Sequence, residues 1–314
     1  MPQNPAGGTQ IVHNYIQQQL RDELEDVVIW PTTFDHRKVD TSKINILHQH
    51  MEASMVEMKG VFSEERVALM DHIIFVSYWQ YEDFMLNFPW LDSTKCSVIK
   101  NATKPFPNEP KLPDGKLKLI YTSTPFRGLE LVPNIWKKLD RDDIELDVYS
   151  SLEIYGQAFV DKVHEECGNK YEDLFDALDS IDGINYKGYV TNDKIREACL
   201  DAHIYIYPAI IMETSCLSLL EGLAAGCAAV VTTLGALPET GSEYAYYSLM
   251  DFNNDKLTDN FASCLNQVID QYWSSFTQEK LSKQRQFYLD NYSWDSRIAQ
   301  WSSLLTELKR LKQS

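Results

Sequence analysis

The sequence predicts an α/β protein built as two parallel-sheet units, and three observations carry that expectation. Short apolar runs of strand length alternate with amphipathic helical stretches, the pattern of strands covered by helices rather than joined as hairpins. The alternation breaks between residues 104 and 115, where Pro105, Pro107, Pro110 and Pro113 crowd one connector. A second alternating series then follows, and within it a buried strand stopped by Pro208 leads through a polar loop into a helix closed by Gly226.

Taken in order, residues 1–6 are polar and Pro-punctuated, and Gly7, Gly8 and Thr9 lead into helical periodicity up to Leu20. Buried strands are expected at 26–30, 44–48, 72–76 and 96–99, with amphipathic stretches at 64–70 and 79–86. After the connector, strands are expected at 117–121, 144–149, 184–189, 203–207 and 228–232, and helices near 130–139, 153–167, 192–200 and 214–225. From Asn253 the chain reads as helix to its end. The expected division is a first unit at 1–110, a second at 111–290 and a terminal helix at 291–314.

With 314 residues, 44% of them apolar, the chain can fill two ordinary cores. A formal charge of −17 argues against nucleic-acid binding and against broad attraction to an anionic membrane. No apolar run approaches the roughly 20 residues of a membrane span, and no signal peptide opens the chain. Membrane contact is therefore expected to be peripheral at most. The cysteines at 96, 167, 199, 216, 227 and 264 show neither a CxxC pair nor metal-ligand spacing, as expected of reduced structural thiols in a cytoplasmic protein.

The most informative stretch runs from Pro208 to Gly226, where Glu213 and Glu221 are separated by seven intervening residues. Glu213 falls in the strand-to-helix loop and Glu221 inside the helix, so the pair can address two parts of one extended ligand. Thr214 or Ser215 is expected to cap the helix, leaving N–H groups near Cys216, Leu217 and Ser218 free for an anion such as a pyrophosphate. This run, its continuation through residues 227–233 into Gly235-Ala236-Leu237-Pro238-Glu239-Thr240, and the segment 118–131 with Arg127-Gly128 resemble the retaining glycosyltransferases of family 4. Gly7-Gly8 is similar to that family's glycine loop and His48 matches the place of its cleft histidine. A strand normally precedes the glycine loop, and hardly any room is left for it here, which suggests a trimmed first unit.

The resemblance implies a GT-B fold, two Rossmann-like domains facing a central cleft with the C-terminal helix crossing back to the first. It implies a metal-independent, retaining transferase that moves a sugar from a UDP- or GDP-linked donor to a glycan or glycolipid acceptor, without a cofactor. Glu213 would contact the donor sugar, Glu221 the ribose and Arg127 the leaving diphosphate, with His48 beside the reacting centre. Ser123, Cys216, Leu217, Ser218, Gly7 and Gly8 would line the donor. Chemically, such transfer needs a negative group near a developing oxocarbenium and positive groups near the departing diphosphate. The family often carries another arginine where Thr122 stands. A binding module that has lost turnover and a nucleotide-sugar epimerase are the competing readings, while a phosphorylase lacks an obvious pyridoxal-binding lysine context. Asp142, Asp143 and the aspartates at 173, 176, 179 and 182 do not form the Asp-x-Asp of a metal-dependent transferase and are expected on solvated surfaces.

Overall fold

A computed structural model describes residues 7–106, 109–110 and 115–313. Residues 1–6, where a strand before Gly7 would lie, and Pro107 and Pro113 of the connector fall outside the described residues. The first unit contains α1 (Gly8–Gln19), β1 (Val27–Pro31), β2 (Ile44–Gln49), α2 (Val56–Val61), α3 (Glu64–Val67), β3 (His72–Phe75), α4 (Tyr78–Asn87) and β4 (Cys96–Val98). The second contains β5 (Leu117–Tyr121), α5 (Val132–Leu139), β6 (Ile144–Val148), α6 (Gln157–Cys167), α7 (Lys170–Asp179), β7 (Ile184–Tyr186), α8 (Asn192–Leu200) and β8 (Ile204–Tyr207). It continues through α9 (Leu217–Ala225), β9 (Ala228–Val231), α10 (Leu237–Gly241), β10 (Tyr246–Tyr247), α11 (Asn254–Gln271) and α12 (Ser275–Asn291), and α13 (Trp294–Gln313) ends the chain.

The strands form two wholly parallel sheets, in the orders β1-β2-β3-β4 and β10-β9-β8-β5-β6-β7. Parallel pairing requires crossovers, and the helices that make them cover the sheet faces, so β2, β3, β8 and β9 are buried along their whole length. Side chains in a strand alternate between faces. In the first sheet Ile44, Ile46 and Ile74 pack toward Val12 and Ile16 of α1 and Trp301, Leu305 and Leu308 of α13. Leu47, Ile73 and Phe75 pack on the other face against Met58, Phe62 and Phe84. The terminal helix therefore crosses back onto the first sheet, and its face built from Trp294, Trp301, Leu305 and Leu308 is what holds it there.

The helical tail beyond Asn253 divides into three helices, because Ser274 restarts α12 as its N-cap and Ser293 bridges to Thr103 before α13 begins. Near 153–167 a short 3-10 turn precedes α6, separated from it by Gly156 at φ 85°. The expected strand at 184–189 stops at Tyr186, and the expected loop at 235–240 contains α10.

The two units touch at defined polar contacts. The Glu239 carboxylate of α10 accepts from the backbone N–H groups of Tyr78 and Trp79 at 3.1 and 2.9 Å, at the start of α4, and meets Lys100 Nζ at 2.8 Å. A carboxylate at a helix N-terminus is favourably placed, because unpaired N–H groups and the positive end of the helix dipole coincide there.

Candidate donor site at the carboxyl edge of the second sheet

In the second sheet the chain passes from β5 outward to β6 and β7, then returns to β8 on the opposite side of β5. Such a reversal leaves a crevice at the carboxyl ends of the two central strands. Arg127 comes from the turn after β5 and Glu213 from the loop after β8, and the two meet in that crevice as an ion pair through Nη1 and Oε1. Tyr207 at the end of β8 donates its hydroxyl to the same carboxylate oxygen. Glu213 is only 5% exposed, so the charge-assisted bonds from Arg127 and Tyr207 offset its desolvation. Burial alone would push the Arg127 guanidinium down, but Glu213, with Tyr207 and Tyr155, raises it above its ordinary value.

Two glycines make this meeting sterically feasible. Gly128, at φ 110°, lies so close to β8 that a Cβ would stand 2.0 Å from the Pro208 carbonyl oxygen. Gly235, at φ 60°, backs onto Glu213, where a Cβ would stand 2.3 Å from its carbonyl oxygen and 2.6 Å from its nitrogen. Both positions combine a left-handed backbone with close approach of another main chain. Gly235→Ala is expected to destabilise the protein by roughly 2–3 kcal/mol and to move the Glu213 loop. Urea unfolding checks this, and a variant with wild-type stability would show that the loop tolerates the displacement.

The helix that follows begins later than expected. Its N-cap is Cys216, at φ 62° and with no side-chain capping bond, so the expected capping by Thr214 or Ser215 is corrected. Thr214 instead donates its hydroxyl to the His50 carbonyl oxygen at 3.0 Å, linking this loop to the first unit. The first turn of α9 (Leu217, Ser218) has no acidic residue and no capping side chain, and the same holds for α1, whose N-cap is Gly7. The two helix starts converge: a Cβ on Gly8 would lie 3.1 Å from Leu217 Cδ1, and one on Gly7 3.7 Å from Tyr155. Uncapped N–H groups from both units thus point into one region beside Arg127, the arrangement that receives a phosphate. At the end of β5, Thr122 and Thr124 flank Ser123, and their buried hydroxyls have no hydrogen-bond partner among the described residues. Phe126, Tyr155 and Phe159 form an aromatic wall next to Arg127, with ring centroids 4.9–6.2 Å apart.

Glu221 occupies a different setting. Its Oε1 accepts from Arg196 Nη1 at 2.9 Å, and that guanidinium also bonds Thr103 Oγ1, Lys104 O and Pro105 O while stacking 4.0 Å over Phe106. Desolvation raises the Glu221 carboxyl while Arg196 pulls it back down. The structure therefore joins Arg127 to Glu213, sets the start of α9 (Cys216, Leu217, Ser218) beside the start of α1 (Gly7, Gly8), leaves Ser123 at the end of β5, and ties Glu221 to the connector between the units. Sequence reasoning missed Tyr207 and Arg196. An aromatic hydroxyl at the end of the strand before Glu213 was a usable signal, whereas Arg196 is 25 or more positions from every group it binds.

His48 lies within β2 on the face toward α1 and α13, only 1% exposed, with neither ring nitrogen bonded among the described residues. Its ring packs 4.2 Å from that of His50 and 5.1 Å edge-on to Trp301. The expected cleft histidine is thus buried in this structure: the side-chain alternation that puts Ile44 and Ile46 in the core puts His48 on the same face. Burial pushes the His50 imidazole down to about 3 and His48 well below its ordinary value. A histidine with a depressed folded-state pKa stabilises the fold above its unfolded pKa of 6.5 and loses that contribution as pH falls below it. At pH 5 the loss is about 2 kcal/mol for His50. His50→Gln is accordingly expected to flatten the pH dependence of urea unfolding between pH 7 and 5 by about that amount, and an unchanged slope would refute the assignment.

Asp142, Asp143 and the aspartates at 173, 176, 179 and 182 are exposed, as expected. Among the described residues, no group of three or more His, Cys, Asp or Glu side chains has a metal-binding arrangement. Among the same residues no helix is long and apolar enough to cross a membrane.

This is the GT-B fold: two parallel-sheet units with a crevice at the carboxyl edge of the second and a terminal helix returned to the first. Residues 128–270, the second unit apart from its first strand and turn and its last helix, match the family described as Glycosyl transferases group 1. The whole chain superposes on a glycosyltransferase from Rickettsia africae with a TM-score of 0.67 and 15% identity, covering 100% of this chain and 85% of that one. It is also similar to a sucrose-phosphate synthase from Thermosynechococcus elongatus, with a TM-score of 0.65, 12% identity and coverage of 98% and 83%. A third similar structure is the Anabaena protein HepE in complex with UDP and glucose, with a TM-score of 0.65, 12% identity and coverage of 97% and 84%. No curated protein sequence matches the chain.

Proposed function

We propose that this protein is a retaining, metal-independent glycosyltransferase of the family 4 kind, moving a sugar from a nucleoside diphosphate donor to a glycan or lipid-linked acceptor. One observation carries the reading: Arg127 and Glu213 stand as opposite charges at the switch point of the second sheet, beside the uncapped N-terminus of α9. The diphosphate lies across the starts of α9 and α1 and against Arg127, which neutralise the charge that grows as the glycosidic bond breaks. The donor sugar lies over Glu213, whose carboxylate, held by Tyr207, faces the positive ring. When donor binds, Arg127 exchanges part of its contact with Glu213 for the diphosphate, freeing the carboxylate for sugar hydroxyls. The UDP and glucose bound to HepE are consistent with a UDP-linked donor. The first unit then faces the acceptor, and we place the division between units in the connector at 104–115.

Thermal shift with UDP, GDP and ADP tests the donor class, since a ligand that binds only the folded state raises the melting temperature. One diphosphate is expected to stabilise selectively, and the same stabilisation and the transfer reaction are expected to survive EDTA, because helix termini and Arg127 supply the compensation a divalent cation would give. No response to any diphosphate would remove the donor reading, and a metal-reversible loss of transfer would remove metal independence. A binding module without turnover is the second reading, favoured by the Glu221–Arg196 pair, which occupies the carboxylate expected at the ribose. Such a module would release no free nucleotide from any nucleotide-sugar, even at high protein concentration.

A further inference from the structure

His13, His48 and His50 are gathered on the first unit's side of the junction, and neither Glu213 nor Arg127 uses them. His13 comes from α1, His48 from β2 and His50 from just beyond its end. Both ring nitrogens of His48, Nε2 of His50 and Nδ1 of His13 are buried without a hydrogen-bond partner. Unpaired buried polar atoms are costly, and so many in one place call for a partner that the described residues do not supply. The elements packed around them contribute Trp301 from α13 and Thr214 from the loop after β8, neither of which is charged. The ionisable groups that act on His48 are His50 and His13, and the one that acts on His50 is His13. Among the described residues, no carboxylate balances the cluster. Burial holds all three imidazoles below their ordinary value, and for His48 and His50 the neighbouring rings add to it.

We propose that His13, His48 and His50 form an anion subsite, distinct from the diphosphate crevice, that takes a phosphate or carboxylate carried by the acceptor. The proposal rests on the reading of the first unit as the acceptor side. An anion supplies the counter-charge these imidazoles lack, and it reverses the penalty on protonating them, so a proton is taken up as it binds. The uncapped start of α1 places the positive end of that helix on the same side. With a net charge of −17 the protein does not draw anions to its surface in general, so selective binding has to come from a built site of this kind. Entry requires the Thr214–His50 contact to part, which couples occupancy of the subsite to movement of the loop that carries Glu213.

The test is calorimetric titration of the intact protein with glycerol phosphate, with and without saturating UDP, in two buffers of different ionisation enthalpy. Uptake of about one proton per phosphate is expected, with affinity rising roughly tenfold from pH 7.5 to 6.5 and no binding of glycerol itself. His13→Asn, on the half-buried face of α1, and His50→Gln are each expected to lose tenfold or more in affinity. His13→Asn carries the test if His50→Gln fails to fold. Titration with glycerate separates a carboxylate source from a phosphate one. Phosphate binding without proton uptake, equal binding of glycerol, retention of affinity in His13→Asn, absence of phosphate binding, or displacement by UDP would each overturn the proposal. Failure of UDP to bind would instead count against the donor reading, leaving the phosphate titration to be judged by itself.

Discussion

Glu213→Gln is expected to reduce sugar transfer by about 100-fold or more while changing nucleotide affinity by no more than a few-fold. The substitution keeps the shape of the side chain and an acceptor for Tyr207, but removes the charge that faces the sugar as positive character develops. Because that charge matters most in the transition state, the loss should fall on kcat rather than on donor binding. The same change leaves Arg127 without its partner inside the crevice, and the freed cation can turn to the diphosphate, so nucleotide affinity has reason to rise slightly. Steady-state kinetics with a nucleotide-sugar, together with calorimetric binding of the nucleotide alone, separate the two effects. Transfer within threefold or so of wild type would show that Glu213 is a structural partner of Arg127 and Tyr207 and nothing more.

Arg127→Ala is expected to weaken binding of the nucleoside diphosphate by roughly 100-fold while leaving the nucleoside nearly unaffected, since only the former carries the charge that the guanidinium pairs with. A second effect follows from the burial of Glu213, which is 5% exposed. Removing one member of a buried pair strands the other, at a cost of about 3–5 kcal/mol. Arg127→Ala should therefore unfold at clearly lower urea, and the double variant Arg127→Ala with Glu213→Gln should recover much of that loss. Equal weakening for nucleoside and diphosphate, or no recovery in the double variant, would mean that Arg127 acts through the fold and not through charge.

The alternation of apolar runs and amphipathic stretches was enough to determine the α/β class, because a strand buried on both faces leaves a continuous apolar signature, as in residues 204–207 and 228–231. The same local logic set Glu213 in a strand-to-helix passage, while Arg127 was singled out by the resemblance of its segment to the glycosyltransferase family. Helix breaks were less legible: residues beyond 253 kept a helical composition through Ser274 and Ser293, where capping and a bridge to Thr103 end the helices. Only the tertiary structure decided partners. Arg127 and Glu213 lie 86 positions apart and meet because the sheet order reverses between β5 and β8. Glu221 is claimed by Arg196 because α8 and α9 pack together against the connector, which no spacing in the sequence encodes. His48 looked like a cleft residue by its place at a strand end, yet strand parity and the returning Trp301 enclosed it. Local propensity and pattern are properties of a few neighbouring residues, whereas charge pairing and enclosure depend on which distant surfaces the topology brings into contact.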